Sequence, residues 1–231
     1  AERAQLTTWY AMVLQAEGRS RAAIEWADRA IGQAEAIGDR KALGLAYSVL
    51  DWAKSTLGES TGGLYWRRAL EIAEETGDLE RQAHVLNSLG YSAFYEGRWD
   101  EAMDFYERAR SLFETIGDPV TSQAVAGNVA EILAERGRFD EAEALLRDSL
   151  RVWRASEYRY FLAGCLSDLG RIAARTHRFD EALAMLDEAL TLFNDVGAEE
   201  EVVDVVARVA ECRALMGEGS EALAAVEEIA A

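Results

Sequence analysis

A short motif that returns about every forty residues is the feature that most constrains how this chain can fold. Its copies are separated by 40, 39, 40, 40 and 40 residues and begin at Gly18, Gly58, Gly97, Gly137, His177 and Gly217. In the third, fourth and fifth copies the opening residue is followed by arginine, an aromatic residue, aspartate, glutamate and alanine. A fixed period of this length is typical of stacked structural repeats, each of which buries its apolar face against its neighbours.

Each copy of the motif is typical of a tight turn between two helices. Glycine suits the left-handed residue that ends a helix, and His177 replaces it in one copy at a small energetic cost. We expect Asp100, Asp140 and Asp180 to be the N-caps of the helices that follow. The glutamate after each aspartate would then lie in the first helical turn, where the helix dipole stabilises negative charge.

A second kind of turn separates one helix pair from the next. It occurs at Gly38-Asp39, Gly77-Asp78, Gly117-Asp118-Pro119 and Gly197-Ala198, and without glycine at Ser156-Glu157. Proline fits the first position of a helix, where its missing N–H is not needed. Between the turns apolar residues recur at three- and four-residue steps, without strand alternation. We therefore predict twelve helices in six antiparallel pairs within one domain, with repeats at about residues 1–39, 40–78, 79–118, 119–158, 159–198 and 199–231.

Composition and charge exclude several classes of protein. The 231 residues carry 42 acidic against 24 basic side chains, a formal net charge of −18. Such a charge repels polyanions, so we predict neither nucleic acid nor a membrane surface as a partner. No apolar stretch is long enough to span a bilayer, and no signal peptide is recognisable. Cys165 and Cys212 are too few for a disulfide framework, which indicates reduced packing residues in a cytoplasmic protein, with redox sensing as a minor alternative.

Several residues of the repeats carry a resemblance to a known family. They are the pairs Leu89-Gly90 and Leu169-Gly170, the alanines Ala69, Ala102, Ala109, Ala142, Ala182, Ala189 and Ala222, and the aromatics Trp99, Phe139 and Phe179. This pattern resembles the tetratricopeptide repeat (TPR), in the forty-residue form of kinesin light chains, cell-polarity scaffolds and the sensor regions of bacterial signalling ATPases. The resemblance implies an all-α, right-handed superhelical solenoid of about six TPR-like hairpins. In the second repeat, where Ser60-Thr61-Gly62-Gly63 replaces the usual turn, the register is uncertain by one residue.

The sequence offers little that would support catalysis. Glu131 and Glu135 lie one helical turn apart, as a paired-carboxylate hydrolase would require, and His84 could serve as a general base. We favour the simpler interpretation, in which the glutamates belong to a solvated acidic face and His84 is a polar residue on a helix face. No glycine-rich phosphate loop and no set of metal ligands is recognisable. We therefore predict a protein that is not an enzyme and that holds no cofactor or metal.

The resemblance implies a concave groove, lined by the first helix of each hairpin, that binds a protein or peptide. The predicted partner-binding residues are His84, Asn87, Tyr91, Phe94 and Tyr95 in the third repeat, Glu131 and Glu135 in the fourth, and Arg171 and Arg175 in the fifth. Small residues are expected to leave room for a ligand at Ala124, Gly127, Ala134, Gly164 and Ala174. This pattern predicts a ligand with an apolar or aromatic anchor at one end and an acidic group at the other.

Two simpler interpretations stay open for these residues. Phe94 could pack against the next hairpin, and the two arginines could pair with the two glutamates. The carboxylate clamp found in some members of the family is not reproduced, because lysine is nearly absent and only Asn87 and Asn128 lie near matching places.

The sequence therefore predicts a protein- or peptide-binding scaffold, the sensor or docking region of a larger bacterial signalling regulator. The bacterial origin rests on 22 arginines against two lysines, and the larger protein on a chain that starts at Ala1 without methionine. The alternative is a structural assembly or oligomerisation module that acts through its stack ends. The last helix presents Ala222, Leu223, Val226 and Ile229, so we expect the C-terminal end to join two copies as a homodimer or to be followed by another helix.

Overall fold

The computed structural model describes residues 2–59, 61–156, 158–220 and 222–223. Within these residues the chain forms eleven α-helices and no strand. The helices are α1 (Glu2–Ala16), α2 (Ser20–Ile37), α3 (Arg40–Thr56), α4 (Leu64–Thr76), α5 (Leu79–Tyr95), α6 (Trp99–Thr115), α7 (Pro119–Glu135), α8 (Phe139–Ala155), α9 (Arg159–Arg175), α10 (Phe179–Val196) and α11 (Glu199–Met216). Residues 219, 220, 222 and 223 are also helical. The rest of the predicted twelfth helix, with Val226 and Ile229, lies outside the described residues.

The chain divides into two compact units, Ala1–Val125 and Ala126–Ala231. In the first unit each helix from α1 to α5 packs against the next, and α1 also contacts α3. In the second unit α8 to α11 pack in the same order, and α9 also contacts α11. The all-α repeat fold predicted from the sequence is therefore confirmed, whereas the predicted single domain stays a prediction.

The motif residues that open each copy adopt the left-handed conformation in all six repeats. Their φ angles lie between 61° for His177 and 86° for Gly217. In the third repeat the N–H of Gly97 donates to Phe94 O, and the N–H of Arg98 donates to Ala93 O at 2.8 Å. These bonds close the end of α5 within two residues, so the next helix begins at once.

Because of this early start, the predicted N-caps Asp100, Asp140 and Asp180 are wrong by two positions. The helices α6, α8 and α10 begin at Trp99, Phe139 and Phe179, after an arginine whose side chain makes no cap hydrogen bond. The three aspartates lie in the first turn with the glutamates that follow them. The three aspartates therefore stabilise these helices electrostatically, through the helix dipole, and not as N-caps.

The turns between hairpins match the sequence prediction more closely. The carboxylates of Asp39, Asp78 and Asp118 each accept a backbone N–H three residues further on, at 3.0 Å. Hydrogen bonds from the hydroxyl and backbone of Thr121 also hold the pKa of Asp118 below its usual value. Pro119 is the first residue of α7, as predicted.

The motif leucines and alanines form the core. Leu89, Ala102, Leu169 and Ala182, which the resemblance places at helix contacts, are all buried. The glycine after each leucine allows two helices to approach closely. A Cβ at Gly90 would lie 2.5 Å from the Tyr106 ring, and one at Gly170 would lie 2.8 Å from Leu186 Cγ.

Candidate functional site

An open groove of about 750 Å³ lies in the first unit, among α3, the start of α4 and the second half of α5. Four aromatic side chains line it, together with polar residues: Trp52, Trp66, Tyr91 and Tyr95, with Ser55, Thr56, Gly58, Thr61, Asn87, Ser88, Ser92 and Glu96. We refer to it as the aromatic groove. Tyr91 and Tyr95 are 58% and 70% exposed, and their ring centroids lie 4.5 Å apart. A large apolar surface is thus open to solvent on a rigid helical frame.

The turn that places Trp66 in this groove is held by a buried carboxylate. Asp51 on α3 is 1% exposed, and its Oδ2 accepts the N–H groups of Tyr65 and Trp66, each at 2.9 Å. Its Oδ1 accepts the Thr61 hydroxyl, and the Thr61 oxygen in turn accepts the N–H of Gly63 at 3.2 Å. Asp51 therefore supplies the N-terminal cap that the sequence of this irregular turn lacks.

Three of the five residues predicted in the third repeat line the aromatic groove, namely Asn87, Tyr91 and Tyr95. His84 instead packs against Phe113 in an edge-to-face arrangement, with ring centroids 5.0 Å apart. Partial burial, reinforced by the nearby Arg81, lowers the pKa of His84. Phe94 is half-buried and contacts Tyr95 edge-on, with ring centroids 5.4 Å apart.

Sequence reasoning missed both tryptophans of the groove. Trp52 lies on the predicted groove-lining face of a first helix, but in the repeat whose register was uncertain. Trp66 belongs to a second helix and reaches the groove only because Asp51 fixes the start of α4. The sequence did contain one signal for this turn, which is Asp51 among the mostly apolar residues of α3. A buried carboxylate is normally hydrogen-bonded, so it indicates a polar partner nearby.

In the second unit the predicted arginines and glutamates belong to a network of ion pairs. Arg171 Nη1 lies 2.7 Å from Glu135 Oε1, and Arg175 lies 3.7 Å from Glu135 and 3.4 Å from Glu211. Arg208 donates to Asp168 at 2.7 Å and to Ser167 at 2.8 Å. The arginines thus already hold carboxylates of the same unit, and their predicted role in partner binding stays a prediction.

Glu131 is the surplus acid of this network, which contains three arginines and four carboxylates. Burial raises the pKa of Glu131, and the negative charges of Asp168 and Glu135 raise it further. The positive charges of Arg171 and Arg208 oppose this shift only in part. Its carboxylate therefore carries a desolvation cost at neutral pH.

The five small residues predicted to leave room for a ligand have three different outcomes, of which the first is the half-buried Ala124. A Cβ at Gly127 or Gly164 would meet no atom within 4 Å, so both positions face open space. Ala134 and Ala174 are 3% and 2% exposed, because they pack in the interior, and the expectation is wrong for these two.

Other chemistry finds little support among the residues that the structure describes. They contain no group of three or more histidine, cysteine, aspartate or glutamate side chains that could hold a metal ion. Cys165 and Cys212 are buried free thiols, and burial raises the pKa of Cys165 to about 12, which disfavours the reactive thiolate. None of the described helices combines the length and apolar character that crossing a membrane requires.

Comparison with protein families agrees with the repeat pattern. Family models described as tetratricopeptide repeat match residues 4–29, 82–116 and 121–195, together more than half of the chain. Among curated proteins, human G-protein-signaling modulator 1 is 30% identical over 82 residues. The match covers 36% of this chain and 12% of that protein, so the chain spans a small part of its relative.

Solved structures share the fold at low sequence identity. Aspartyl phosphate phosphatase F from Bacillus subtilis has a TM-score of 0.81 at 13% identity, over 99% of this chain and 59% of that one. NprR in complex with its cognate peptide NprX has a TM-score of 0.76 at 16% identity, over 96% of this chain and 64% of that one.

Proposed function

Because the chain belongs to the tetratricopeptide repeat family, we propose that it is a scaffold that binds a peptide segment of a partner in the aromatic groove. The observation that carries this proposal is the set of four aromatic side chains around an open volume of about 750 Å³. Exposed tyrosine and tryptophan are the residues most enriched among binding hot spots. The volume lies within the range of ligand sites.

The lining favours a particular kind of segment. Aromatic faces accept an apolar or aromatic anchor. The hydroxyls of Thr56 and Ser88 in the lining already donate to the backbone oxygens of Trp52 and His84, so the aromatic rings dominate what the groove offers. Glu96 is the one charged residue of the lining, and it pairs with Arg98. With a net charge of −18 on the chain, we expect neutral or basic residues beside the anchor, because a cationic side chain can lie on the aromatic faces.

This expectation applies to the aromatic groove alone. The acidic ligand group predicted from Arg171 and Arg175 would have to displace Glu135 and Glu211 from them. The solved complex of NprR with its peptide supports peptide binding as a use of this fold, although it shares 16% identity with this chain.

The test is selection of random twelve-residue peptides displayed on phage, followed by titration of the enriched peptides by fluorescence anisotropy. Loss of both hydroxyphenyl rings in the double variant Tyr91→Ala, Tyr95→Ala should weaken binding about thirtyfold or more, as for a central hot spot. Tyr158→Ala is the matched control, because Tyr158 is 50% exposed in the second unit and does not line the groove. Enriched peptides that bind the double variant as well as the parent would exclude this groove.

The wider role of the chain is inferred from its relatives and its composition. We propose a non-catalytic sensor or docking region of a larger bacterial signalling regulator in the cytoplasm. The human relative, a G-protein-signaling modulator, and the excess of arginine over lysine in this chain support this role. An ATPase, cyclase or DNA-binding domain encoded beside this segment would support it, and a gene that encodes repeats alone would count against it.

A further inference from the structure

Arginine side chains cover several aromatic rings of the first unit. In three cases the guanidinium carbon lies between 4.9 and 5.7 Å from the centroid of a ring. The pairs are Arg29 with Trp26, Arg68 with Tyr47 and Arg67 with Phe105. A guanidinium within about 6 Å of a ring centroid is attracted by the negative face of the π system. The chain therefore pairs its own rings with arginine.

The more exposed indole of the aromatic groove has no such cover. Trp52 is 45% exposed. Among the residues that the structure describes, no arginine lies over its ring and no other aromatic ring contacts it. Tyr91 and Tyr95, by contrast, contact each other, and Tyr95 also contacts Phe94. Trp52 therefore offers an open π face beside a pair of tyrosines that already pack together.

The charge of the groove is complementary to a cation. None of its described lining residues is basic, and Glu96 is the one that carries a charge. Arg98 offsets part of that charge by pairing with Glu96, but the chain as a whole carries a formal net charge of −18. A field of this sign attracts cationic ligands and repels acidic ones.

We propose that the partner segment carries an arginine whose guanidinium lies flat on the indole of Trp52, next to an apolar anchor on the tyrosines. This inference rests on the proposed function, because it takes the aromatic groove as the binding site. Indole attracts a cation more strongly than phenol or phenyl rings do. Arginine fits better than lysine, because its planar and weakly hydrated group stacks on a ring while its N–H groups donate at the edge.

The first test changes the ligand. It uses those twelve-residue peptides enriched on phage that the double variant Tyr91→Ala, Tyr95→Ala weakens, made by synthesis and titrated by fluorescence anisotropy. Each arginine is replaced in turn by citrulline, which keeps almost the same shape and has no charge. Citrulline at the stacked position should weaken binding about tenfold, the effect of a desolvated cation–π contact.

The second test locates the guanidinium on the chain. Trp52→Leu keeps an apolar side chain at this exposed position but removes the π face. It should weaken the arginine peptide about tenfold and leave the citrulline peptide nearly unchanged, so that the two changes are not additive. Tyr158→Leu is the matched control, because it removes a ring that is 50% exposed in the second unit, and it should bind both peptides as the parent does. Thermal unfolding verifies that each variant is folded.

The outcomes separate this inference from the proposed function. Groove-binding peptides that lack arginine, or that bind equally well with citrulline, overturn the inference and leave the peptide-binding function standing. Equal weakening of the arginine and citrulline peptides by Trp52→Leu also overturns it, since Trp52 would then act only as apolar surface. If the double variant weakens no enriched peptide, the inference and the proposed function are both wrong.

Discussion

Alanine at Gly90 is the sharpest test of how the hairpins pack. The added Cβ would lie 2.5 and 2.6 Å from two ring atoms of Tyr106, about 1 Å inside ordinary contact. Tyr106 is 2% exposed, so a shift of its ring would have to be accommodated inside the core. Overpacking of this kind costs about 3 kcal/mol at its upper range, whereas replacing glycine within a helix returns about 1 kcal/mol. The net loss in free energy of unfolding is therefore about 2 kcal/mol.

The measurement is thermal unfolding followed by circular dichroism, with urea unfolding to obtain the free energy. A loss of 2 kcal/mol corresponds to a fall in Tm of about 4–8 °C for a chain of this size. Gly164→Ala is the matched control, because its Cβ would meet nothing within 4 Å. That variant should gain about 1 kcal/mol from helix propensity alone. If Gly90→Ala unfolds at the parent temperature or above it, the reasoning that α5 and α6 pack too closely for a side chain at residue 90 is refuted.

Three further substitutions have expected outcomes. Ala102→Arg places a charge at a fully buried helix contact, and we expect a loss of about 4 kcal/mol or more and a lower Tm. His177→Gly should raise the urea midpoint by relieving a left-handed residue with φ of 61°, which costs a non-glycine residue about 1 kcal/mol. Glu131→Gln should stabilise the chain at pH 7. In the folded state the pKa of Glu131 is raised above its ordinary value of 4.5. Between the unfolded-state and the folded-state pKa, folding therefore binds a proton. The free energy of unfolding falls as pH rises through that interval. The gain from glutamine should therefore vanish below pH 4.5 in melts recorded across pH, and a constant gain would contradict the assigned cause.

The sequence predicted those parts of the fold that depend on local backbone chemistry. Left-handed glycines, aspartate caps between hairpins and Pro119 at a helix start all act within a few residues. Their spacing alone therefore determines the number and order of the described helices. The N-caps within hairpins were wrong because Gly97 and Arg98 complete the turn in two residues, which leaves Asp100 inside the helix.

The candidate site was less predictable because it depends on contacts between residues far apart in sequence. The exposure of Tyr91 and Tyr95 followed from their position on a first helix, but the tryptophans opposite them did not. Trp66 lies in the groove because Asp51, fifteen residues earlier, accepts its N–H. A single hydrogen bond of this kind does not change the periodicity of the sequence, so the pattern cannot predict it. It also lies in the second repeat, where the repeat motif is weakest.

The ion pairs of the second unit show a related limit. Helical spacing placed Arg171 and Arg175 on one face, and the same spacing placed Glu135 opposite them. Spacing cannot decide whether such arginines meet a ligand or a neighbour, because an adjacent carboxylate held by the fold competes with any external one. In the aromatic groove, by contrast, Tyr91 and Tyr95 keep most of their surface open to solvent, which favours contact with a ligand. The rings of Tyr91 and Tyr95 contact each other, yet more than half of each side chain stays exposed. Transfer of that surface from water on binding is favourable at about 25 cal/mol per Å² of buried apolar surface.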